Sequence, residues 1–222
     1  QQSGETKGID ADIGRRVAEL LGVGVRFDRT ATSFQAVVDK LANDEVDVAI
    51  SKLSITGPRM QVVRWSVPYV RLRQAMIVNR LWLSRNSDAA DQRESIRRFD
   101  GNIAFMRNSS YDTFARINFP NATYVPMDSW NDIVAGVMAG RLAAGFRDEF
   151  EIKRIAWELP EAAISTKTVT IVDMVDSIAA AVEHRNATLL AVVNHVIENE
   201  FSRIDIKKLI KLYRNSQQGA DK

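Results

Sequence analysis

Ser51, Lys52, Ser54, Thr56 and Arg59 crowd hydroxyls and two cations into one short stretch. A guanidinium offers a planar fork that matches a carboxylate bidentately, and hydroxyls and backbone N–H groups fill the remaining lone pairs. The stretch follows an apolar run, residues 46–50, broken only by Asp47, which reads as a buried strand too short for a helix. Gly57 and Pro58 suit the first turn of a short helix, with Arg59 at its mouth. In open α/β sheets ligands bind at the carboxyl ends of strands. The chemistry indicated is the capture of a small carboxylate. The plain alternative is an ordinary strand-to-helix loop carrying one surface arginine.

Two other places repeat this logic. Ser109 and Ser110 follow the apolar run 103–106 and open a helical pattern. Helix N-terminal N–H groups with hydroxyls bind anions, although Ser109 also reads as a plain helix cap. Asp148 follows the run 142–146, and its ordinary role is again to cap the helix that starts there.

The elements that must carry these residues are legible as a series. Asp10 reads as the N-cap of a helix with Ile13, Val17, Leu20 and Leu21 on its apolar side and Gly22 as its stop. Residues 23–27 read as a strand. Ser33 caps a second helix, with Phe34, Val37, Val38 and Leu41 on its apolar side. Residues 74–78 form a strand, and 79–93 a polar surface excursion. Next come a strand at 103–106 and a helix from Ser109, where Asp112 completes a capping box. A strand at 122–125 follows, then a helix over 129–138 closed by Gly140. A strand at 142–146 leads to a helix from Asp148 that Pro160 stops. Strands at 168–172 and 178–182 and helices at 188–201 and 206–213 complete the chain. Alternating strands and helices predict an α/β fold with largely parallel sheets.

Composition narrows the function classes. The chain has 222 residues, is 45% hydrophobic and carries 30 basic against 28 acidic residues, a net charge of +2. That balance gives no case for nucleic acid or an anionic membrane surface as partner. No apolar run approaches membrane-spanning length. Cysteine is absent, which excludes disulfides and thiol chemistry. Only His184 and His195 are present, and with no cysteine to add ligands no zinc or other metal site is expected; no cofactor is expected either.

One longer pattern carries a resemblance. Ser51, Ser54-Ile55-Thr56 and Arg59, followed by Trp65-Ser66-Val67-Pro68-Tyr69, match without a gap a strand-loop motif of the form S-x-x-[ST]-I-T-x-x-R and [FW]-S-x-P-Y. The chain thereby resembles the periplasmic solute-binding proteins for polar amino acids, family 3, the substrate-capturing parts of ABC importers. The resemblance covers nearly the whole chain. It implies a two-lobe, type II periplasmic-binding-protein-like α/β fold, with a hinge and an interlobe cleft. Lobe one is expected over 1–73 and 174–222, lobe two over 74–173.

The same resemblance suggests ligand contacts. Ser109-Ser110 fall where relatives carry Gly-[ST]-[ST], with Asn108 in place of the glycine, and would join Ser54 and Arg59 on a carboxylate. Asp148 falls where a carboxylate takes the ligand's α-ammonium. Phe34 matches an aromatic that lies against the ligand side chain in relatives binding basic amino acids, and it reads equally as a core residue of its own helix. Lys52 stands where many relatives carry a small or neutral residue. Aimed at the ligand it favours an acidic or carbonyl-bearing side chain, and turned to solvent it signifies nothing. The expected ligand-binding set is Phe34, Ser51, Lys52, Ser54, Arg59, Ser109, Ser110 and Asp148, with no catalytic residue.

The resemblance also leaves something out. Relatives begin with a strand and an aromatic-proline segment before the pattern seen here as Gly8-Ile9-Asp10-Ala11-Asp12. Without that strand, residues 23–27 and 46–50 would present open edges. The expectation is a rearranged sheet in lobe one, or its completion by a second copy in a homodimer.

Three functions are consistent with these readings. The first is an extracytoplasmic, periplasmic binding module for a small polar amino acid, working with an ABC permease or fused to a membrane domain. The second is a cyclohexadienyl (prephenate or arogenate) dehydratase on the same scaffold, for which Glu149 beside Asp148 is the one extra carboxylate. The third is an interaction domain whose site has decayed.

Overall fold

The computed structural model describes residues 6–86, 92–202 and 204–218. The chain forms two compact units, Gln1–Arg71 with Ser177–Lys222, and Leu72–Asp176.

In the first unit, α1 (Ile9–Leu21) has Gly8 at its N-cap. Its C-cap, Gly22, adopts the left-handed conformation, φ 66°, which glycine reaches without a Cβ penalty. The helix buries Ala11, Ile13, Val17 and Ala18. Leu20 and Leu21, expected on that side, are exposed. Residues 23–27 join no ladder among the described residues, so the strand expected there is absent. The second helix, α2 (Phe34–Ala42), starts where Ser33 Oγ accepts the Ala36 N–H at 3.1 Å.

β1 is confined to Val48–Ala49 and is followed by α3 (Gly57–Met60) and β2 (Val63–Trp65). β3 (Val70–Asn79) then leaves this unit. The returning chain supplies β8 (Ala181–Glu183), which lies between β1 and β2 and pairs antiparallel with both. The largely parallel arrangement expected therefore fails here. Among the described residues, the only strand that pairs with β1 and β2 runs in from the far end of the chain in the opposite direction. Val38, Leu41, Ala49, Leu53, Val63 and Ala181 form the core beneath this sheet. Two further helices, α10 (Ala187–Val196) and α11 (Ile206–Gln218), end the described chain; α10 packs against α1.

The second unit continues from β3 through α4 (Arg80–Asn86) and α5 (Gln92–Arg97). The surface excursion expected over 79–93 is thus largely helical, with 87–91 outside the described residues. Then follow β4 (Asn102–Met106), α6 (Ser110–Asn118), β5 (Thr123–Met127), α7 (Trp130–Met138), β6 (Ala144–Asp148), α8 (Glu149–Glu158), α9 (Ala162–Ser165) and β7 (Thr166–Ile178). The sheet order is β5-β4-β6-β3-β7, with β4 parallel to β5 and β6, and β3 antiparallel to β6.

Both faces of this sheet are covered, and the two-residue period of a strand divides its side chains between them. Met76, Val78, Ile103, Phe105 and Phe146 face one cluster with Phe99, Tyr111 and Phe119. Ala75, Ile77 and Ala104 face the other, with Trp130, Ile133, Val137 and Ile152. This explains why 75–78 read as an unbroken apolar run. Gly145 is required where α7 presses on β6, because a Cβ there would lie 2.7 Å from Ile133 Cγ2.

Candidate ligand-binding residues

In the first unit the loop after β1 is held on both sides. Ala179 N–H donates to the Leu53 carbonyl at 3.1 Å, Ile55 N–H donates to the Ser177 carbonyl at 3.0 Å, and Ser54 bridges Ile178. Ser54 and Thr56 are buried, and Thr56 occupies the N-cap of α3. Pro58 sits in the first turn of α3, where its missing N–H leaves no bond unmade. Arg59 is only 4% exposed. Its Nη1 donates to the Ser54 carbonyl at 3.2 Å, and its Nε reaches Gln35 Oε1 at 3.5 Å. A buried guanidinium is costly unless acceptors surround it.

Ser51 and Lys52 are half-buried at the tip of the loop. Lys52 has φ 48°, in the left-handed region. Its N–H donates to Asp10 Oδ2 at 3.0 Å, and the Tyr69 hydroxyl donates to Asp10 Oδ1 at 2.8 Å. Burial raises the Asp10 pKa above the ordinary 3.8, against the lowering pull of the Tyr69 and Lys52 bonds. Asp10 is therefore not the N-cap of α1 that its position suggests, since Gly8 holds that place. The sign of its role was present in the sequence only as one acidic residue near a helix start. Phe34, the first residue of α2, packs on the Val38–Leu41 cluster.

In the second unit β4 and β6 are neighbours and parallel, so the loops after Met106 and at Asp148 leave the same end of the sheet. Ser109 Oγ donates to the Met106 carbonyl at 2.6 Å and accepts the Tyr111 N–H at 3.3 Å as the cap of α6. Asp112 does not complete a capping box. Its carboxylate takes the Arg116 Nε at 2.8 Å, one turn along. Asn108, where relatives have glycine, holds φ 55°, a conformation that asparagine tolerates better than most residues. Ser110 is buried directly behind it.

Asp148 is 3% exposed, and its Oδ1 accepts the N–H groups of Phe150 and Glu151, each at 3.1 Å. The neighbouring Glu149 accepts the Arg73 N–H at 3.0 Å and the Lys153 ammonium at 2.8 Å. Both of its oxygens are committed to structure, which weakens it as a general base. Sequence reasoning passed over Tyr111 and Asp176. The Tyr111 hydroxyl donates to Asp176 Oδ2 at 3.2 Å, and burial together with that carboxylate pushes the tyrosine well above its ordinary pKa. Among the described residues no group of His, Cys, Asp and Glu is placed to hold a metal ion, and no helix is long and apolar enough to cross a membrane.

Comparison with known proteins gives these residues a context. The model of a family described as bacterial extracellular solute-binding proteins, family 3, matches residues 1–215. No curated protein matches the chain. Among solved structures, an amino acid ABC transporter substrate-binding protein from Streptococcus pneumoniae bound to L-arginine is similar, with TM-score 0.72 and 21% identity over 91% of this chain and 81% of that one. An ancestral arginine-binding protein bound to arginine aligns with TM-score 0.71 and 21% identity, covering 97% of this chain and 90% of that chain. An ancestral amino-acid-binding protein, a precursor of cyclohexadienyl dehydratase, aligns with TM-score 0.69 and 22% identity over 97% and 87%. The fold is the mixed α/β, type II periplasmic-binding-protein architecture of these structures.

Proposed function

As the chain belongs to family 3 of the bacterial extracellular solute-binding proteins, we propose that it captures a small polar amino acid without altering it and hands it to an ABC permease outside the cytoplasm. Arg59 and Ser54 take the α-carboxylate, with Ser51 lining the same loop. Ser109 and Ser110, at the start of α6, offer hydroxyl and N–H donors to the ligand. Asp148 takes the α-ammonium in a charge-assisted hydrogen bond. Phe34 lies against the ligand side chain. The observation that carries the reading is Arg59: a guanidinium 4% exposed, braced on the Ser54 carbonyl at the carboxyl end of β1.

Lys52 supports the finer choice. Residues 48–61 contain two cations, Lys52 and Arg59, and no carboxylate. A second cation on the loop that carries Arg59 suits a ligand side chain bearing a carboxylate or carbonyl. Two of the similar structures hold arginine, but at their identity they carry the fold alone.

A thermal-shift panel of the natural amino acids, followed by calorimetry, tests the reading. Stabilisation by L-glutamate, L-glutamine, L-aspartate or L-asparagine above the others is expected. No stabilisation by any amino acid overturns it. Formation of phenylpyruvate, with release of carbon dioxide and water, on incubation with prephenate would instead favour the dehydratase reading, which one similar structure motivates.

A further inference from the structure

We propose that Asp10 is a positioning residue for ligand capture, its carboxylate pinning the Lys52 end of the ligand loop to Tyr69. The inference rests on the reading of Ser54 and Arg59 as the carboxylate anchor.

An acidic residue in the first turn of a helix ordinarily turns to the helix's own N–H groups or to water. Asp10 does neither with its bonded oxygens. Oδ2 accepts the Lys52 N–H at 3.0 Å and Oδ1 accepts the Tyr69 hydroxyl at 2.8 Å. Asp10 is half-buried, and burial opposes the ionisation of its carboxyl group. A carboxylate kept in such a place needs both donors. The partners are 42 and 59 residues away in sequence, so the contact is a tertiary one.

The bonds around Asp10 close a circuit through the loop. Tyr69 is 4% exposed, and its N–H donates to the Ile178 carbonyl at 3.0 Å. Ile178 bridges Ser54, and the Ser54 carbonyl braces Arg59. From Ser54 the chain runs back through Leu53, whose side chain is fully buried, to Lys52 and so to Asp10. One end of the loop is thus held by the strand around Ile178, and at the other the Lys52 N–H is held by Asp10. Lys52 sits at that second end with φ 48°, a conformation non-glycine residues adopt only where the surroundings impose it. Removing the carboxylate frees Lys52 to return to an ordinary backbone conformation, and Ser51 moves with it.

The test has one arm without ligand and one with. In the ligand-free protein, amide hydrogen exchange of Lys52 should accelerate about ten-fold or more in Asp10→Ala. In Asp10→Asn it should stay near wild type, since the amide oxygen accepts the Lys52 N–H and the NH₂ group donates to the Tyr69 oxygen. By calorimetry with L-glutamate, Asp10→Ala should weaken binding about ten-fold or more, and Asp10→Asn should return to within about three-fold of wild type. Should Asp10→Ala not fold, Asp10→Ser, too short to reach Lys52, takes its place. Unchanged Lys52 exchange overturns the pin. Accelerated exchange with L-glutamate affinity within about two-fold of wild type overturns its role in capture, as does an Asp10→Asn variant as weak as Asp10→Ala. Failure of the wild type to bind any amino acid overturns the functional reading itself, and the ligand-free arm tells that apart from failure of the pin.

Discussion

Arg59 Nη1 donates to the carbonyl oxygen of Ser54 at 3.2 Å, so the buried charge is braced by the backbone of its own loop. The loop aims the guanidinium, and this makes the arginine hard to replace by another cation.

Arg59→Ala should cost about 3–5 kcal/mol in amino-acid affinity, because a carboxylate loses its bidentate partner in a poorly hydrated place. Arg59→Lys should recover only a small part, since an ammonium cannot both bond the Ser54 carbonyl and present a planar fork. Calorimetry that finds either variant within a few-fold of wild type removes Arg59 from the anchor role.

One substitution separates the observed capping role of Asp148 from the ligand contact proposed for it. Its Oδ1 caps α8 on Phe150 and Glu151. An amide oxygen can keep those bonds, so Asp148→Asn should lose at most about 1 kcal/mol of stability. It should weaken amino acids strongly and their deaminated analogues hardly at all. Equal loss for both ligand classes would show that Asp148 acts only as a cap.

Asp28 predicts a pH dependence of stability. The backbone N–H of Thr30, then its hydroxyl and the Lys40 ammonium, hold its carboxylate below the ordinary 3.8. A depressed pKa contributes stability above the unfolded value, and that contribution is lost as pH falls through the folded one. Asp28→Asn should therefore be less stable than wild type at pH 7, with the gap narrowing once pH drops below 3.8. Urea melts of both proteins at pH 7 and pH 3 check this; a gap that stays constant contradicts the assignment.

Val23 and Val25 are 60% and 44% exposed on a segment that joins no ladder among the described residues. Exposed apolar side chains on a β-prone segment outside any ladder invite pairing with another chain. Self-association that rises with concentration is expected by sedimentation, and Val25→Lys should abolish it. A wild type that stays monomeric at high concentration excludes the homodimer.

Much of the helical framework was readable locally. Ser33, Ser109 and Asp148 cap where expected, and Gly22 and Gly140 stop helices with positive φ, because a cap is decided by backbone donors within a few residues. The loop with Ser54 and Arg59 was equally legible, since hydroxyls, proline and arginine follow a short apolar run with no gap. Strand partners were not. Residues 23–27 alternate as a strand should, yet a strand exists only where another supplies the complementary N–H and C=O groups, and the segment's own sequence holds just half of those bonds. For the same reason the antiparallel order β1-β8-β2 was hidden, because β8 arrives from the far end of the chain. Asp10 shows the limit at a single residue. Its sequence neighbours allow a helix cap, and only the fold, by bringing Lys52 and Tyr69 to its two oxygens, decides that the carboxylate serves the loop.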